Sequence, residues 1–212
     1  MGRSEYTCLL WPSLYLGVQV TSDSRKKYVG RSTLEAFISL SGLIDRVNRA
    51  FAIVAAVLVF FSCMISAGNA VSRYALSISS NAWLEIQWQM FAGIFLLGAP
   101  YVLKLNEHVR VDIIYGGRSD RTKLWIDVFG IIFFLFPATA LMAYMGYGFF
   151  ETSFLRGEMS SNAGGLPLWP VKAILPLGFA LLFLQGISEL IKRIAALQGD
   201  ATMAVVYEKP LQ

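Results

Sequence analysis

From position 50 onward, four stretches of the chain run for sixteen or more positions without a charged residue. They cover 50–72, 86–103, 128–150 and 173–188, and the last keeps its apolar character through Ile191. A helix rises about 1.5 Å per residue and a bilayer's hydrocarbon core is about 30 Å thick, so about 20 residues cross it. Backbone amides cannot stay unpaired in lipid, which leaves helices or a closed barrel. The runs are continuous rather than alternating, which excludes the barrel. With their interfacial turns, the expected spans lie at 50–72, 84–104, 124–150 and 170–191.

Ahead of the first span, Leu34, Phe37, Ile38, Leu40, Ile44 and Val47 recur mostly at three- and four-residue spacing. Glu35, Asp45, Arg46, Asn48 and Arg49 lie between them. The pattern predicts an amphipathic helix on the membrane surface, with a plain extension of the first span as the alternative. The expected fold is all-α: a four-transmembrane-helix bundle with an amphipathic interfacial helix before the first span. Residues 1–30 are expected to form a poorly structured cytoplasmic extension, 31–197 the membrane domain and 198–212 a cytoplasmic tail. The mildly apolar run 9–20 is short, contains Pro12 and lacks an A-x-A site, so it does not read as a signal peptide.

Composition agrees with the spans. The 212 residues are 56% hydrophobic and only 15% charged, too apolar for a soluble domain of this length. The net charge of +4 does not point to nucleic acid, because its distribution is topological. Fifteen Lys and Arg flank the spans on the side of the two termini and the 104–123 loop; only Arg73, Arg156 and Lys172 lie on the other. The positive-inside rule places both termini in the cytoplasm. Trp83, Trp88, Trp125 and Trp169 fall near span ends, as interfacial aromatics do.

Candidate chemistry is sparse. No ionisable residue sits at mid-span; Glu85, Asp127, Glu151 and Glu189 all lie at span ends. An autonomous ion-coupled transporter would need a buried acid or a broken helix. The single histidine, His108, cannot supply a haem or a histidine-rich metal site. Cys8 and Cys63 make no disulfide framework. No catalytic motif occurs, so no catalytic residue, cofactor or metal is expected. Two polar stripes remain: Ser62, Ser66, Asn69 and Arg73 on the first span, and Glu85, Gln89 and Gly93 on the second. Both read first as glue between helices, and Arg73 and Glu85 flank one short turn where they could pair. Gly93, Ala143, Gly146 and Gly178 are expected to allow close helix approach. Pro137 is expected to kink the third span.

Glu85 and Gln89, the run LLGAPYVLKLNEHVRVDIIY at 96–115, and Glu158, Ser160, Gly164, Gly165, Leu166, Pro167, Trp169 and Pro170 carry a family resemblance. Within the run, Gly98, Ala99, Leu103, Lys104, His108, Val109, Arg110, Val111 and Asp112 match. Over about 34–197 the chain resembles the small permease subunit of tripartite ATP-independent periplasmic (TRAP) transporters, the DctQ-like family. Its departures are the segment 1–30 and Pro100, where a small residue is more usual. The resemblance implies a non-enzymatic subunit in the bacterial inner membrane, working with a large DctM-like permease subunit and a periplasmic DctP-like binding protein. That assembly takes up an organic anion with sodium; the 158–170 motif resembles systems for 2-oxo or aromatic acids. Interface or structural roles are expected for Arg73, Glu85, Gln89, His108, Arg110, Asp112, Arg156 and Glu158. The rivals are an autonomous small transporter, an integral membrane enzyme, and an anchor or assembly subunit of another complex.

Overall fold

The computed structural model describes residues 31–77, 80–105, 117–162 and 164–198, with side chains from Phe37 onward. The described part is helical: α1 (Arg31–Ala75), α2 (Asn81–Leu105), α3 (Asp120–Gly130), a π-helical turn (Ile131–Leu135), α4 (Phe136–Leu155) and α5 (Trp169–Leu197). Because α3, the π turn and α4 run on as one span, four helical units are long and apolar enough to cross a membrane.

Helix α1 corrects one expectation. Residues 31–75 form one unbroken helix, not a surface helix followed by a span. At about 1.5 Å per residue it is roughly 67 Å long, twice the hydrocarbon thickness. Nothing between 34 and 50 breaks it, and its polar residues supply the physical reason. Ser41 and Asn48 are buried against α5, while Phe37, Leu40, Leu43 and Val47 are exposed. Ser41, Asp45 and Asn48 thus form a polar stripe turned inward, the reverse of a helix resting on a soluble core, while Arg46 and Arg49 stay exposed.

That inversion runs through the molecule. Among the described residues, six hydrophobic side chains are buried against eleven polar or charged ones. Phe60, Phe95, Phe133, Phe134 and Tyr144 are more than half exposed. An apolar exterior of this extent needs lipid, or other membrane helices, as its solvent.

Helix α5 is the hub and meets every other helical element; α1 and α2 pair with each other, and the third span packs on α5. The apolar centre is Ala55, Leu97 and Leu181, with Phe51 and Ile174 around them. Glycine sets the crossings. A Cβ on Gly178 would lie 2.7 Å from Leu96 Cβ and 2.9 Å from its carbonyl oxygen. One on Gly93 would meet Leu58 at 2.9 Å, and one on Gly146 would meet Leu175 and the Pro176 nitrogen at 3.3 Å. Those three glycines stand where close approach was expected.

Pro137 acts through the π turn. Proline lacks an N–H and its ring clashes with the carbonyl four residues earlier. The helix widens just before it, and the Phe136 N–H donates to Ile131 O, a five-residue step. The bulge presses Leu135 and Phe136 onto α5 at Gly186, where a Cβ would lie 2.9 Å from both side chains. Phe136 also packs on Phe183, with ring centroids 4.8 Å apart.

Candidate functional site: two polar clusters joined by the spans

The first cluster is built on Glu85, one turn into α2. Its side chain is buried and faces the loop between α4 and α5. That loop folds back as a small hairpin, with Met159 and Pro167 bridged, Ser160 N–H donating to Leu166 O at 2.9 Å and Leu168 N–H to Glu158 O at 3.0 Å. The carboxylate of Glu85 lies against the hairpin. It accepts from the Ser160 hydroxyl, from Asn162 Nδ2 at 2.7 Å and from the Leu166 N–H at 2.7 Å. Gln89, one turn on, donates to Pro167 O at 3.3 Å. The hairpin needs its glycines. Gly164 has φ +71°, and a Cβ on Gly165 would sit 2.5 Å from the Ser160 carbonyl oxygen.

Glu158 anchors the base of the same hairpin. It pairs with Lys172 on the first turn of α5, whose ammonium also lies 4.0 Å over the Phe149 ring. The Lys172 hydrogen bond holds the Glu158 carboxyl below the usual carboxylate range. The structure therefore brings Glu85, Gln89 and Glu158 together and leaves two other candidates outside the contact. Arg73 is exposed, and the Glu85 carboxylate that could have met it is taken up by the hairpin. Arg156 is also exposed. His108, Arg110 and Asp112 lie outside the described residues.

The second cluster lies about 28 Å away along α2, nineteen residues on from Glu85. Its centre is Asp45 of α1. Asp45 accepts from Lys192 at 2.8 Å, Ser188 at 2.9 Å and Gln185 at 3.0 Å, and lies 3.5 Å from Lys104 of α2. Lys192 also reaches Glu189 at 2.8 Å. Glu189 accepts from Arg193 at 2.5 Å, and Arg193 donates to Asp127 of α3 at 3.0 Å. Asn48 donates to Gln185 at 2.6 Å, and the Ser41 and Ser188 hydroxyls are 2.7 Å apart. Three acids face three bases, so the cluster is neutral, and each of the four spans contributes at least one of its charges.

Sequence reasoning missed this cluster. It counted Lys192 and Arg193 only as topological charges, Lys104 as one of these and as a motif residue, and Asp127 and Glu189 as groups at span ends. The available signal was the four-residue spacing of Gln185, Glu189 and Arg193, which puts an amide, an acid and a base on one face of α5. Of the span-one stripe, Ser62 is buried, Asn69 is half-buried, and Ser66 and Arg73 are exposed.

Chemically, the charges of both clusters are closed, while the buried Asn48 Oδ1 in the second has no hydrogen-bond partner. The buried carboxylates of Glu85, Asp127 and Glu189 all have hydrogen-bonding or ionic partners within the chain. No group of three metal-ligating side chains occurs among the described residues. Such an arrangement fastens helices together. It defines a polytopic helical membrane protein with an apolar exterior and buried charges paired within the chain.

Residues 62–196 match the family described as Tripartite ATP-independent periplasmic transporters, DctQ component. The match covers more than half of the chain, including both clusters except for the α1 residues of the second. The chain belongs to that family, a component of membrane transporters. No curated protein and no solved structure gives a significant match.

Proposed function

We propose that the chain is the small membrane subunit of a TRAP-type secondary transporter. It supports a large DctM-like permease subunit in sodium-coupled uptake of an organic anion delivered by a DctP-like periplasmic binding protein. It sits in a bacterial inner membrane with both termini in the cytoplasm, as the distribution of Lys and Arg favours. The observation that carries this reading is the closure of its buried charges. A coupling site must hold a group that can exchange a proton or ion during the cycle. Here the buried acids are committed to partners on neighbouring helices, which suits a fixed support rather than a moving carrier.

The loop beyond Glu85 is assigned to the periplasmic side, where Arg156 contributes to a docking face for the binding protein. Arg156→Glu should weaken uptake with the abundance of the complex unchanged; unaltered uptake removes that assignment. Glu158 is committed to Lys172, so its role is to hold the hairpin that presents Arg156.

The decisive experiment is purification of a tagged copy from native membranes, followed by reconstitution with and without what accompanies it. The reading expects a many-spanning partner to co-purify, and uptake, with the binding protein supplied, only when both membrane subunits are present. Sodium-dependent uptake by the chain alone would replace it with an autonomous small transporter. A different companion would make it an anchor for another complex.

A further inference from the structure

The first turns of α3 and the last turns of α5 leave an open groove of about 420 Å³, lined by Arg121, Trp125, Val128, Ile194, Leu197 and Gln198. That is within the roughly 300–1,000 Å³ range of small-molecule sites. Arg121, Trp125 and Val128 are spaced by four and three residues, so one face of α3 presents a guanidinium, an interfacial aromatic and an aliphatic floor in that order. Among the described residues, Arg121 is exposed and makes no ion pair, whereas Arg193 beside Ile194 is neutralised by Asp127 and Glu189. Further along the same side of the span, Phe129, Ile132 and Phe133 are exposed, so the apolar strip continues from the groove along the bundle's outer surface. A cation at one end and an unbroken apolar track at the other are complementary to an amphiphile with an anionic head.

We propose that this groove binds one anionic phospholipid, its phosphate on Arg121 beside Trp125 and an acyl chain along Val128 and Ile194. Trp125 is 59% exposed and suited to headgroup depth, where amphipathic rings settle. Basic sites between transmembrane helices hold such headgroups by the same combination of charge and apolar wall.

The test uses the full-length chain in detergent, titrated by native mass spectrometry with phosphatidylglycerol or phosphatidylethanolamine of identical acyl chains. One basic residue near a membrane surface contributes about fivefold in affinity. Phosphatidylglycerol should therefore bind about fivefold tighter, Arg121→Gln should erase that preference, and Arg121→Lys should keep most of it. Ile194→Trp, which fills the groove from its exposed wall, should weaken both lipids. Arg121 is a surface residue, so its variants test the site without threatening the fold. Equal binding of the two lipids, or a preference unchanged in Arg121→Gln, overturns the proposal. Displacement of phosphatidylglycerol by an equal concentration of inorganic phosphate also overturns it, because the site would then be one for free phosphate.

Discussion

Replacing Arg193 with methionine leaves two acids without their shared base. Arg193 is 3% exposed and joins Asp127 of α3 to Glu189 of its own helix, with Nε and Nη1 each committed. Asp127 is 9% exposed and Glu189 4% exposed, so neither can recruit bulk water in exchange. Two magnitudes compete for the outcome. An ordinary interhelical hydrogen bond in a membrane protein is worth about 0.6 kcal/mol. Removing one partner of a buried ion pair costs about 3–5 kcal/mol, because it strands the other charge. The second applies, and in thermal unfolding followed by size-exclusion chromatography it should appear as a loss of about 10 °C. The double variant Asp127→Leu with Arg193→Met separates the explanations. It removes one acid and one base together, leaving Asp45 and Glu189 against Lys104 and Lys192. Most of the lost stability should return, with a coupling of about 2 kcal/mol or more. If Arg193→Met costs no more than one hydrogen bond, or if the double variant is as poor as the sum of the singles, the neutral-cluster argument fails.

Glu85→Ala should strand the Leu166 N–H and release the hairpin, at a cost of about 1.5–3 kcal/mol for each hydrogen bond to the charged group, seen as rapid proteolysis within 156–168. Arg73→Ala should leave that digestion pattern unchanged, since Arg73 takes no part in the contact. Acid should loosen the same hairpin. Lys172 lowers the folded-state pKa of Glu158 below its ordinary 4.5, so the stabilisation is full above 4.5 and fades as pH falls through the lower folded value. Glu158→Gln should remove the Lys172 share of that acid sensitivity and leave the share carried by the Glu85 carboxylate. Gly178→Leu should force α2 off α5 at the Leu96 carbonyl and cost at least about 1–3 kcal/mol, measured as reduced yield and thermal stability.

Span number was legible because lipid imposes a crude rule, a long run without charge, that no tertiary detail can override. The glycines at 93, 146 and 178 were legible for a related reason: a small residue inside such a run has few uses besides close approach. The course of α1 was not. A one-sided pattern of apolar residues fits a helix on a membrane surface and equally one whose polar side is buried, and the difference lies in Ser188, Gln185 and Lys192, some 140 positions away. The partner of Glu85 failed in a similar way. Proximity along the chain favoured Arg73, only twelve residues earlier, but the hairpin at 160–166 offers a backbone N–H, an amide and a hydroxyl together. That set satisfies a buried carboxylate more fully than one exposed guanidinium can.

The two clusters have a common logic that sequence order conceals. In a bilayer, apolar burial does little to hold one helix against another, because lipid tails are as apolar as leucine. Specific packing must then come from close contact and from polar groups whose alternative is to stay unsatisfied. The structure places such groups near both ends of α5 and small residues between them: Lys172 with Glu158 at one end, Gly178 in the middle, and Gln185 through Arg193 at the other. Helix α5 is thereby fastened to α1, α2 and the third span at several levels, and the spans cannot slide along it without breaking ion pairs. A carrier must change such contacts during its cycle, and a support must not. The number and closure of the polar ties on α5 therefore argue for rigidity as the property this subunit contributes to a transporter.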